Sequence, residues 1–257
     1  MTGARFVLAI SGAEIAKLFR HLGFWVVLLL FFVGEVLVFW QAHVEAARHG
    51  AAAGLFGAPA GWLIPLRYAG KVTLSVSSGV VVFFTASELS WGTAALLVSN
   101  GLPRAWFVLG KLVLATLIAV VFSLVNVLAI APFVYRESGI AILAWSNLPV
   151  STTVVFVLAA IGYNMLALLT AVLVPSAAGA LAAWISYVWL VEPLVADYLS
   201  AAIRDIWLPL GSLNELWTTP ASGGSSAVLW ATTSCVAGLY VALAVVIAFI
   251  AVARRDL

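Results

Sequence analysis

Six stretches of this chain stay apolar for about 20 residues or more: residues 22–41, 68–87, 106–134, 150–174, 177–195 and 227–253. At 1.5 Å per residue, about 20 apolar residues cross a bilayer core of roughly 30 Å. In lipid every backbone N–H and C=O needs an internal partner, so such runs are helices. The predicted fold class is an all-α polytopic membrane protein with six transmembrane helices, residues 1–257 forming one transmembrane domain.

The breaks between the runs are also patterned. Over residues 4–20 Leu8, Ile15, Leu18 and Phe19 share one side at 100° per residue, and Arg5, Lys17 and Arg20 take the other. This predicts an amphipathic helix within residues 1–21, lying along the inner membrane face or extending into the cytosol. Residues 196–226 are too polar to cross and contain Pro209 and Pro220 just beyond Pro193. Their charges alternate with Tyr198, Leu199, Ile203, Ile206 and Trp207. Short external helices, resting on or dipping into the outer leaflet, are expected there, with a turn over 218–226.

Composition sharpens this picture. Hydrophobic residues make up 65% of the 257 positions and charged ones 9%, against roughly half and a quarter in soluble domains. A net charge of +2 without a basic cluster excludes nucleic acid as a partner and leaves membrane lipid. With both termini inside, the cytoplasmic cations are Arg5, Lys17, Arg20, Arg104, Lys111, Arg254 and Arg255. The outside then holds Arg48, Arg67, Arg136 and Arg204 together with Glu45, Glu137, Asp197, Asp205 and Glu215. The positive-inside rule favours that orientation, with both termini cytoplasmic. Trp40, Trp62, Trp145, Trp207, Trp217 and Trp230 fall near the outer ends of the spans, and Trp25, Trp91 and Trp106 near the inner ends. That is the distribution of an interfacial aromatic belt. The first run is longer than a signal-peptide core and reads as a retained helix.

Residues 88–105 join the second and third spans on the cytoplasmic side. Thr93 is placed to N-cap a short helix over 94–99, Asn100-Gly101 to end it, and Pro103 to open the next. Within this stretch stand Glu88, Gly92-Thr93, Leu96-Leu97 and Arg104, followed by Lys111. Glu14, Lys17, Phe19 and Arg20 precede Trp25, and the chain closes on Arg254-Arg255-Asp256-Leu257. This arrangement resembles the permease subunits of ABC-2 type transporters of bacterial cell membranes. The resemblance implies that residues 88–105 form a coupling segment docking on a separate cytosolic ATPase subunit. Glu88, Gly92, Thr93, Leu96, Leu97 and Arg104 would then lie at or beside that contact. It further implies two ATPase copies carrying ATP and Mg, a second permease copy in a homodimer or heterodimer, and export. The same residues have local readings: Thr93 caps, Gly101 turns, and Arg104 anchors to lipid phosphate.

Charges inside a membrane cost roughly 2.5–3.5 kcal/mol each even on lenient scales. Glu35 and Lys71 fall at comparable depth in the first two spans. Either they pair in the protein interior, or Lys71 snorkels outward while Glu35 is protonated or meets water. Thr73, Ser77, Asn126 and Asn164, with Ser75, Ser78 and Tyr163 nearby, line a substrate path or join helices by hydrogen bonds. Gly162 and Gly179 are expected where helices touch.

The remaining chemistry is sparse. No G-x-x-x-x-G-K-[ST] stretch occurs, so the chain lacks a phosphate cradle and binds no cofactor of its own. No catalytic constellation is visible. Lone Cys235 reads as a small buried apolar residue. His43, Glu45 and His49 are too few for a metal site. The expected function is an ATP-driven permease moving substrate across or out of the membrane. A scaffold or immunity-type protein that displaces a ligand, and an ATPase-independent ion carrier using Glu35, are the alternatives.

Overall fold

A computed structural model of the chain describes residues 3–48, 63–138, 150–199, 208–211, 213 and 225–254. Outside the described residues lie His49, Trp62, Trp145, Arg204, Asp205, Trp207, Glu215, Trp217, the start of the 218–226 turn and the tail from Arg255. The side chains of Arg5, Glu45, Arg48, Arg67, Arg136, Glu137 and Trp230 lie outside them too.

The described residues contain no strand. They form α1 (Gly3–Arg20), α2 (Leu22–Arg48), α3 (Leu63–Ser90), α4 (Thr93–Ser99), α5 (Arg104–Ser138), α6 (Val150–Leu173), α7 (Ala177–Ser186), a π-turn (Tyr187–Val191), α8 (Glu192–Tyr198) and α9 (Ser225–Arg254). Among the described residues six helical stretches are long and apolar enough to cross a membrane: Leu22–Gln41, Ala69–Ser90, Arg104–Phe133, Thr153–Leu173, Ala177–Tyr198 and Ala231–Arg254. The chain is thus an all-α polytopic membrane protein with six spans.

The spans are not equivalent. In α3, 72% of the span is buried, against 22% in α2, in α7–α8 and in α9. Helix α3 is therefore central, packing on α5, α6 and α7, while α6 also contacts α9. Lipid is as apolar as leucine, so small residues that let backbones approach must supply the packing. Ala159, Ala160, Ala167 and Ala171 of α6 and Ala115, Ala119 and Ala129 of α5 are fully buried. At Gly162 a Cβ would stand 2.6 Å from Leu213 and 3.3 Å from Val241 of α9, so this glycine is a contact position as expected. Gly179 is not. Its N–H donates to Ser176 Oγ at 3.1 Å, inside the N-cap of its own helix.

Two boundaries differ from the sequence reading for physical reasons. The fifth span, expected over 177–195, passes Pro193 and runs on to Tyr198. Proline has no N–H to give the carbonyl four residues back, and its ring crowds that carbonyl. The chain accommodates this with the wide turn at Tyr187–Val191. Pro132 is likewise held inside α5, which reaches Ser138. In the segment after α8, Leu210 and Leu213 are buried in the bundle core.

Candidate functional site

Between α3 and α5 the chain makes a separate seven-residue helix, α4, whose two ends are fixed by glycine. Thr93 is not its N-cap. Gly92 holds that position at φ 73°, and no side chain caps the helix. A left-handed residue at the cap leaves Thr93 as the first helical residue. At the other end Gly101 has φ 91°, its N–H bonds Val98 O at 3.0 Å, and Leu102 N–H bonds Leu97 O at 3.1 Å. These two bonds are a Schellman closure, and Leu102 and Leu97 supply its apolar contact against the core. Asn100, at φ −81°, is right-handed, so Gly101 alone makes the turn.

The expected contact residues separate by face. Leu96 is 62% exposed, beside Trp91 at 74%, whereas Ala94 is buried and Leu97 packs inward. Leu97 therefore belongs to the base of the helix, not to its outer surface. Arg104 has a role within the chain: Nη1 donates to Ala253 O at 2.6 Å. This satisfies one of the carbonyls left unpaired at the end of α9 and sets a cation at its negative pole.

Just before α4, Glu88 belongs to a chain of four charges drawn from three helices. Lys17 Nζ of α1 meets Glu88 Oε1 of α3 at 2.5 Å, and Lys111 Nζ of α5 meets that same oxygen at 2.7 Å. Lys111 also reaches Glu14 Oε2 of α1 at 2.7 Å. The Lys111 side chain is 1% exposed and Glu88 5%, while Lys17 is 42% exposed. Two acids and two bases alternate, so the cluster is neutral and each buried charge touches an opposite one. Gly110 brings α1 close enough for this: a Cβ there would lie 2.8 Å from Ile10 Cγ2. The sequence offered these four residues as separate marks of a resemblance; only the packing of α1 on α5 unites them.

The intramembrane polar residues form joints between helices. Asn126 Nδ2 donates to Thr73 Oγ1 at 2.6 Å, and Thr73 donates to Ala69 O at 3.0 Å with Glu35 Oε1 at 3.4 Å. Ser77 Oγ donates to Asn164 Oδ1 at 3.2 Å, and Asn164 Nδ2 to Ala115 O at 2.8 Å. Thr73, Ser77, Asn126 and Asn164 are all fully buried and Glu35 is 3% exposed. Of the two roles read from sequence, joining helices is the one this geometry fits. Trp184 adds a third joint, its Nε1 donating to Ser78 Oγ at 2.7 Å.

Glu35 and Lys71 do not pair. Lys71 Nζ sits over the Trp189 ring, 4.7 Å from its centroid. Glu192 was not singled out by sequence. It is 6% exposed, and its Oε1 accepts from Gly211 N at 2.7 Å, holding the segment after α8 against the bundle. An acid directly before a proline in an apolar run was the one signal available. Of the histidines and glutamate in the first loop region, the described His43 ring packs 6.3 Å from Phe133. No known protein-family profile matches the chain, and no curated protein matches it either.

Proposed function

We propose that the chain is the transmembrane permease subunit of an ABC-2 type exporter in a bacterial inner membrane. Its substrate would move across or out of the membrane on ATP hydrolysed, with Mg, by a separate cytosolic ATPase subunit. In this reading two ATPase copies serve two permease copies, identical or different, and this chain carries no catalytic site. The observation that carries the reading is α4: a short helix outside the spans, glycine-bounded, presenting Leu96 outward beside the exposed Trp91 that precedes it. It directly follows α3, whose buried Glu88 is tied by lysines to α1 and α5. Force applied to α4 would therefore reach three helices together. Lys17, Arg20, Arg104, Lys111 and Arg254 belong to this same end of the bundle, which supports a cytoplasmic α4 and cytoplasmic termini.

The test is pull-down and vesicle turnover with a cytosolic P-loop ATPase co-expressed with this chain. Leu96→Asp should abolish ATPase docking and ATP-dependent transport while leaving the unfolding temperature unchanged. Wild-type docking by that variant would refute the reading. A second reading, an ATPase-independent ion carrier, is favoured by one observation: Glu35 is buried among spans and its Oε2 has no hydrogen-bond partner among the described residues. Ion flux that survives without any ATPase and is lost in Glu35→Gln would select it.

A further inference from the structure

A groove of about 480 Å3 opens where α1 turns into α2, lined by Ala13, Ala16, Lys17, Arg20 and His21. Positions 13, 16, 17 and 20 fall on one helix face, and the two alanines keep its floor low. The depression is open along one side, suited to a headgroup lying at the surface rather than to an enclosed ligand. No acid lines it. Arg20 makes no ion pair among the described residues, and Lys17 keeps 42% of its side chain exposed while touching Glu88.

The groove stands at the edge of the membrane-crossing surface. The first span begins at Leu22, which is 77% exposed; Trp25 at 46% and Phe19 at 39% continue the apolar wall beside it. Cations at headgroup depth next to such a wall match a molecule with an anionic head and apolar chains.

We propose that Lys17, Arg20 and His21 bind the phosphate headgroup of an anionic phospholipid, and that this lipid competes with Glu88 for the Lys17 ammonium. A free phosphate has the head but no use for the wall. A choline lipid carries an ammonium that the groove cannot answer, because the nearby carboxylates of Glu14 and Glu88 are engaged by Lys111. Lys17 is the member of the charge chain open to the groove. Withdrawing it toward a lipid phosphate leaves Glu88, four residues before Gly92, held by Lys111 alone. The site stands without the ATPase reading, since it uses only the spans and α1.

The purified chain in detergent would be titrated with dioctanoyl-phosphatidylglycerol, dioctanoyl-phosphatidylcholine and inorganic phosphate. Unfolding temperature and lipid retention in native mass spectrometry are the two readouts. Phosphatidylglycerol should be retained and should raise the unfolding temperature, with neither control doing so. Arg20→Ala with His21→Ala should weaken it roughly tenfold, the scale of one lost charge-assisted hydrogen bond. Arg20→Lys should restore most of the loss. Ala16→Phe, which fills the groove and removes no charge, should weaken binding as well. Glu88→Gln should tighten it several-fold by releasing Lys17. Equal effects of phosphatidylcholine, or a phosphate effect matching that of the lipid, would overturn the lipid site. So would wild-type affinity in Ala16→Phe. Unchanged affinity in Glu88→Gln would overturn the competition.

Discussion

The charged residues at the α1 end illustrate how burial, more than charge, sets a side chain's weight. Lys111 is almost wholly enclosed and touches two carboxylates, whereas Lys17 reaches solvent. Removing one partner from a buried ion cluster strands the others, at a cost of about 3–5 kcal/mol. Lys111→Met should therefore lower thermal stability sharply in detergent, and Lys17→Met should cost at most about 1 kcal/mol, as exposed pairs do. Scanning fluorimetry on the two variants would check the order. Within the spans the stakes are smaller. Interhelical hydrogen bonds in membranes average about 0.6 kcal/mol and reach about 1.7. Asn164→Leu, which breaks the links to Ser77 and Ala115, should fall in that window.

At the scale of elements, backbone geometry decides. Gly101 holds φ 91°, where a side chain is strained, so Gly101→Ala should destabilise the closure of α4 by about 1 kcal/mol. Faster hydrogen exchange of the Gly101 and Leu102 amides would report it. Gly110→Val should push α1 off α5, since even a Cβ meets Ile10 at 2.8 Å. The measured sign would be loss of amide protection confined to α1. The six spans, α4 and α1 were all legible in the sequence, because membrane helices announce themselves by continuous apolarity and capped turns by glycine and proline. The π-turn was not. Hydropathy is blind to whether a proline ends a helix or is absorbed by a wider turn.

For the whole molecule, what sequence could not supply was which elements meet. Periodicity put Glu14, Lys17, Glu88 and Lys111 on three separate segments, and nothing in their spacing says that one carboxylate oxygen serves two lysines. The depth argument for Glu35 and Lys71 was sound as far as it went. It lacked rotation about each helix axis, which sends Glu35 to Thr73 and Lys71 to Trp189. Orientation across the bilayer has a direct test. Cys235 is exposed on α9, not buried as its apolar run suggested. With it replaced by Ser, a cysteine introduced at exposed Leu96 should react with a membrane-impermeant maleimide only in inside-out vesicles. Reaction in right-side-out vesicles instead would reverse the proposed topology.

The wide turn in the fifth span also sets a register. Trp184, Val188 and Glu192 are all buried, four residues apart each time, and a regular helix would let that row drift sideways. The enlarged turn keeps the row facing inward, so the acid meets Gly211 and not hydrocarbon. Shortening the chain by a single residue between 187 and 191 would swing a carboxylate into oil and free the 208–211 tether together. This span tolerates substitution far better than deletion.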